Sequence, residues 1–130
     1  MDNHTLKTHA LAAQKNAHAP YSNFKVGVAI LGSNGNVYSG CNVENVSFPL
    51  GQCAEATAIG TMVNSACTSI KKIVIVSPTD ELCFPCGGCR QKIAEFADSN
   101  TEVVMFSQSG DEKVVSLETL LPFAFQMDEN

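Results

Sequence analysis

The feature that most constrains the fold is the run Ile73-Val74-Ile75-Val76, four β-branched residues with no polar residue between them. Such side chains fit a pleated backbone, and a strand open to water on one face would alternate polar and apolar. The run predicts a central strand covered on both faces, and Val103-Val104-Met105-Phe106 repeats the pattern. A sheet covered twice needs helices on two sides, and three segments have helical spacing. Residues 3–17 place Leu6, Ala10, Ala13 and Ala17 on one helical face and turn Lys7, Gln14 and Lys15 outward, with Pro20 as the stop. Residues 53–66 spread Ala54, Ala58, Ile59, Met62 and Val63 around most of a circumference, which predicts burial on several sides. Residues 86–98 put Cys89, Ile93 and Phe96 on one face and leave Arg90, Lys92, Glu95 and Asp98 to solvent.

Between the first two helices, Val26, Val28 and Ile30 alternate, Asn34-Gly35 suits a tight turn, and a second strand is expected from Val37 to Asn42. An edge strand around Val114-Val115 and a helical turn ending at Pro122 complete the elements. The order strand, helix, strand, helix, strand predicts right-handed crossovers and a largely parallel core beside the hairpin. The expected fold class is α/β, a three-layer α/β/α arrangement with a five-stranded mixed sheet. At 130 residues the expectation is a single domain over 1–130.

Eight basic against thirteen acidic residues give a formal charge of -5, which opposes binding to nucleic acid or to an anionic membrane. The sequence contains no cluster of Lys or Arg that would grip a phosphate. Neutral small molecules suit this surface better. Met1-Asp2-Asn3-His4-Thr5 has neither a basic nor an apolar leader region, and no segment approaches the roughly 20 apolar residues of a membrane span. The expected location is cytoplasmic, where six cysteines point to metal or chemistry before disulfides.

Pro85-Cys86-Gly87-Gly88-Cys89-Arg90 holds two cysteines spaced to grip one soft divalent metal, with glycines that let the backbone turn around it. Cys53 is a third candidate, because Cys53, Cys86 and Cys89 all fall near the first turns of predicted helices. Helix N-termini stabilise thiolates, the form that binds metal. Three thiolates without an obvious fourth ligand describe an open zinc site. Glu55, the lone charge in its helix, is placed to act as a general base there.

These residues resemble a family. Cys53-Ala54-Glu55 with Pro85-Cys86-Gly87-Gly88-Cys89-Arg90 is similar to the signature of zinc-dependent cytidine deaminases, in the small homotetrameric class with three cysteine ligands. Tyr21-Ser22-Asn23-Phe24-Lys25-Val26-Gly27, Asn42-Val43-Glu44-Asn45 and Leu120-Leu121-Pro122 with Phe125 resemble further segments of that family. The resemblance implies one zinc per subunit on Cys53, Cys86 and Cys89, with Glu55 as the catalytic proton carrier. It implies that Phe24 packs on the pyrimidine, that Asn42 and Glu44 hold the ribose hydroxyl, and that the Ala54 N–H contacts the base. Phe125 would reach a neighbouring subunit's active site in a homotetramer. The implied reaction is hydrolytic deamination of cytidine and deoxycytidine in pyrimidine salvage. In many three-cysteine members an arginine follows the catalytic Glu, whereas here Ala56 does, and Phe48 stands where many have tyrosine.

Two rivals use the same residues. One is a related-fold deaminase of another cytosine nucleoside, such as an aminoacylnucleoside antibiotic. The other is a non-catalytic, zinc-stabilised binding module, in which Glu55 is only an acid favoured at a helix start. Cys41, Cys67 and Cys83 are read as small packing residues, and His4, His9 and His18 as solvated.

Overall fold

A computed structural model describes residues 1–127. The elements are α1 (Asn3–Gln14), β1 (Gly27–Gly32), β2 (Val37–Cys41), a 3-10 turn (Phe48–Leu50), α2 (Ala54–Asn64), β3 (Ile70–Val76), α3 (Gly87–Phe96), β4 (Glu102–Phe106), β5 (Glu112–Ser116) and α4 (Leu117–Leu120). The strands form one mixed sheet in the order β2-β1-β3-β4-β5.

Side chains alternate across this sheet into two cores. Val28, Ile30, Ile73, Ile75, Val103 and Met105 point to one face, where Ala54, Ala58, Ile59 and Met62 of α2 and Ile93 of α3 cover them. Ala29, Leu31, Val74, Val76, Val104 and Phe106 point to the other face and meet Leu6 and Ala10 of α1. Every residue of β1 is buried, as in β3 from Ile73 onward. The continuous apolar runs are thus the signature of strands sandwiched between helices.

The expected largely parallel core is corrected in its pairing. Only β3 and β4 are hydrogen-bonded in parallel, whereas β1 runs antiparallel to both β2 and β3, and β5 antiparallel to β4. The crossover through α2 joins β2 to β3, two strands of the same direction, but β1 has taken the place between them. A tight hairpin at Asn34-Gly35, where Gly35 has φ 85, makes β1 and β2 neighbours first.

All three long helices stop earlier than their spacing predicts, α3 by two residues at Phe96. The chain leaves α1 after Gln14 and Ala17 is buried outside it, because His18 pairs with the next layer: its N–H donates to Asn42 O (3.0 Å) and its carbonyl accepts from Glu44 N (2.8 Å). At the end of α2, Ala66 adopts φ 67, its N–H bonds Val63 O (3.0 Å) and the Cys67 N–H bonds Met62 O (3.1 Å). Those are the bonds of a Schellman cap, made here with alanine at the left-handed position. Burial of α2 on several sides is also narrower than expected, since Val63 is 41% exposed.

The helix that carries Cys53 and Glu55 lies very close to the sheet. A Cβ on Gly40 of β2 would sit 2.4 Å from Ala58 N and 2.9 Å from Ala54 O. Glycine in the strand and alanines in the helix let the two backbones touch, which fixes the height of α2 above the sheet.

Candidate metal centre

Cys53 is the N-cap residue of α2 and Cys86 that of α3, while Cys89 lies in the first turn of α3. Cys-Gly-Gly-Cys thus turns from an extended backbone at Cys86 directly into a helix. The three Sγ atoms all lie within 4.8 Å of one another, and among the described residues no fourth His, Cys, Asp or Glu joins them. Tetrahedral zinc with bonds of about 2.3 Å holds its sulfurs roughly 3.8 Å apart, so three soft donors at this spacing fit one zinc ion and leave a coordination position open.

Glu55 is 5% exposed, and burial pushes its carboxyl up from the ordinary range, with Lys92 partly opposing. The thiols without metal differ from one another. Burial raises Cys53, while the Cys89 backbone N–H, a donor at the start of α3, holds Cys86 down. Burial, then repulsion from Glu55, raises Cys89. Glu55 also opposes ionisation of Cys53 and Cys86, so its carboxylate and all three thiols share one electrostatic neighbourhood. A divalent cation reverses this balance by stabilising thiolates. Cys83 lies close by, with its thiol pushed up to about 11 by burial and then by Glu55. It packs against the core and is not one of the three clustered sulfurs.

The segment from Tyr21 to Val26 is held by two polar residues that follow β2, Asn42 and Glu44. Asn42 Oδ1 accepts from Val26 N (2.9 Å) and its Nδ2 donates to Phe24 O (2.8 Å). Glu44 accepts from Tyr21 N (3.0 Å), from Ser22 N (3.1 Å) and from the Ser22 hydroxyl. These bonds, the Ser22 hydroxyl's foremost, hold the Glu44 carboxyl below its usual range. Asn42 and Glu44 therefore brace the loop that carries Phe24, a residue 38% exposed. Glu44, Asn45, Tyr21, Ser22, Phe48 and Gly51 surround a cavity of about 270 Å3. Ser22 belongs to the segment matched by sequence, but its two bonds to Glu44 span 22 residues and no local pattern encodes them.

Ala54, the first residue of α2, is buried, and its N–H belongs to the unpaired first turn. Phe125 lies beside Gln91, Ala94 and Glu95 of α3 and is 73% exposed, with its carbonyl accepting from Gln91 Nε2 (3.2 Å). Phe123 is fully exposed.

Arg90 corrects a second expectation. It is not left to solvent: Nε donates to Pro85 O (2.8 Å) and Nη1 to Leu120 O (2.9 Å), tying the cysteine turn to the C-terminal segment. Its place directly after Cys89 was the available signal.

Residues 1–106 match the sequence model described as the cytidine and deoxycytidylate deaminase zinc-binding region. The cytidine deaminase of Sporosarcina psychrophila is 37% identical over 129 residues, covering 99% of this chain and 95% of that protein. The crystal structure of a cytidine deaminase from Burkholderia pseudomallei superposes with a TM-score of 0.92 at 42% identity, over 96% of this chain and 100% of that one. That of Mycobacterium tuberculosis gives 0.86 at 33% identity, over 98% and 99%.

Proposed function

The chain belongs to the cytidine and deoxycytidylate deaminase zinc-binding family, and from that membership we propose that it hydrolytically deaminates cytidine and 2′-deoxycytidine. The products are uridine or 2′-deoxyuridine and ammonia. The observation that carries this reading is the convergence of three thiols and a buried carboxyl at the N-terminal ends of two helices.

Cys53, Cys86 and Cys89 would hold one zinc per subunit, which when bound lowers the pKa of a water molecule and makes it a nucleophile at neutral pH. Glu55 would take the first proton of that water and pass it to N3 of cytosine, then take the second from the new C4 hydroxyl and pass it to the amino group, which leaves as ammonia. Its burial, which favours the neutral carboxyl, suits a group that must both gain and release a proton. The exposed ring face of Phe24 receives the pyrimidine, and the Ala54 N–H meets the base edge. Asn42 and Glu44 hold the ribose hydroxyl with the lone pairs and N–H that the Phe24 loop leaves open, so the groups that read the sugar also position the aromatic platform.

Residues 1–130 form one deaminase domain in this reading, and the protein assembles as a homotetramer in which Phe125 completes a neighbour's site. Support comes from apolar side chains left in water: Val46, Phe48, Leu50, Phe123 and Phe125 are each more than 70% exposed. A cytoplasmic role in pyrimidine salvage agrees with six free cysteines and with the lack, among the described residues, of a helix long and apolar enough to cross a membrane.

The test follows cytidine absorbance and ammonia release by the purified zinc-loaded protein. Glu55→Gln should keep zinc and lose about 10²–10⁴-fold in turnover. Absence of turnover on both nucleosides by the zinc-loaded wild type would sink the proposal, and turnover confined to an aminoacylnucleoside would reassign the substrate. Sedimentation of a monomer at assay concentration would refute the tetramer.

A further inference from the structure

We propose that the cavity between α1 and the C-terminal ends of β3 and β4 binds a phosphorylated small molecule. It measures about 490 Å3, within the range of small-molecule sites. Lys7 lines it from α1, Lys15 from the C-cap of that helix, Lys25 from the segment before β1, and Ser77, Ser107 and Gln108 from the turns that leave β3 and β4. Three of the eight basic residues in a chain of net charge -5 meet at one opening, and no carboxylate lines it. Among the described residues the one ion pair is Lys72–Glu102, so none of the three lysines is neutralised in place.

Like charges gathered without a counter-charge repel one another, and a bound anion relieves that repulsion. Lys7 is also steered: its Nζ lies 4.6 Å from the centroid of the Phe106 ring, the last residue of β4, which directs the ammonium to the strand end. Lysine recognises a phosphoryl group as a point charge, and the serine hydroxyls and glutamine amide add neutral donors. The place is also apt, because α/β sheets collect ligands outside the carboxyl ends of their strands. A long polyanion is disfavoured by the overall charge, whereas a single phosphoryl group matches three local cations.

This cavity lies on the α1 face of the sheet and the three thiols on the face of α2 and α3. Asn23 and Lys25 line the cavity while Phe24 lies between them, and the Lys25 carbonyl is pinned to α1 by Gln14 Nε2 (3.1 Å).

The test titrates the zinc-loaded full chain with inorganic phosphate, ribose 5-phosphate and adenosine 5′-monophosphate, following backbone amides by NMR and heats by calorimetry. Saturable binding is expected, with shifts confined to residues 23–25, 77–78 and 107–108 and to α1. The Lys7→Gln/Lys15→Gln double variant should bind about tenfold or more weakly, and Lys25→Gln should weaken binding independently. Tighter binding of either organic phosphate than of inorganic phosphate would show that the sugar is read too. Equal binding would show that the phosphoryl group alone is read, and both results support the site. The proposal is overturned if no probe binds saturably, if shifts scatter over Lys71 and Lys113, or if the α1 double variant binds like the parent. The readout is binding, so its failure is separate from failure of the deamination reading.

Discussion

Gly40→Ala tests how the sheet sets the height of α2, the helix that carries Cys53 and Glu55. The added Cβ would lie 2.4 Å from Ala58 N and 2.9 Å from both Ala54 O and Ala58 Cα. All three are backbone atoms, so no side chain can rotate out of the way. Restoring an ordinary contact of about 3.5 Å requires α2 to rise from the sheet by roughly 1 Å. Overpacking of this kind costs about 1–3 kcal/mol, read as a lower urea midpoint at unchanged slope. The same shift moves Cys53 and Glu55 relative to Cys86 and Cys89, which belong to α3. A displacement of about 1 Å at a reacting centre can cost about 10²-fold in rate. Urea unfolding, zinc retention against a chelator and turnover should therefore all fall together. Gly60→Ala is the control in the same helix, because its Cβ meets nothing within 4 Å; it should stabilise by about 0.5–1 kcal/mol with turnover intact. If Gly40→Ala matches the wild type in midpoint, zinc retention and rate, the sheet does not hold α2 at this height.

Further expectations follow from single sites. Ala66→Gly should raise the free energy of unfolding by about 1 kcal/mol, read as a higher urea midpoint, since glycine fits the left-handed cap without strain; a loss of stability would contradict the cap. Cys53→Ser should abolish stoichiometric zinc and Cys83→Ser retain it, measured by metal analysis after dialysis, and equal loss from both would undo the ligand assignment. Glu44 is a carboxyl whose folded pKa is depressed by the Ser22 hydroxyl and then by backbone N–H groups. Its stabilising effect is complete above the unfolded carboxylate value near 4.5 and disappears as pH falls through the lower folded value. The stability gap between wild type and Glu44→Gln should accordingly narrow below about pH 4.5, and a constant gap down to pH 3 would remove Glu44 from the loop's support.

Short-range signals made much of this fold readable. The apolar runs at Ile73–Val76 and Val103–Phe106 state how many faces are covered, and Asn34-Gly35 states where the hairpin turns. The metal centre was readable because its cysteines sit where two helices start, so spacing and predicted element boundaries coincide at the chemistry. Pairing across the sheet was less legible: helical crossovers give strand direction, but that β1 would lie between β2 and β3 is decided by packing. The early ends of α1 and α2 depend on bonds by His18 and Ala66 that no periodicity encodes. Asn42 and Glu44 could be matched to a motif, yet their bracing of Phe24 crosses 18 to 23 residues. Lys7, Lys15 and Lys25 form no run in the sequence, and only the docking of α1 brings them to the strand ends.

The sulfur donors come from two helices that precede and follow β3 in the chain and lie on the same face of the sheet. A metal joining Cys53 to Cys86 and Cys89 closes a loop through β3 and its exit turn, acting as a removable cross-link. Whatever binds the folded chain and not the unfolded one shifts the balance by mass action, so metal supply sets the fraction of time the α2–α3 face stands open to a protease. Digestion with and without a chelator should show the first cuts between Ser77 and Pro85 and a faster rate for the stripped protein. Abundance of the folded chain would then report zinc availability, even when synthesis is constant.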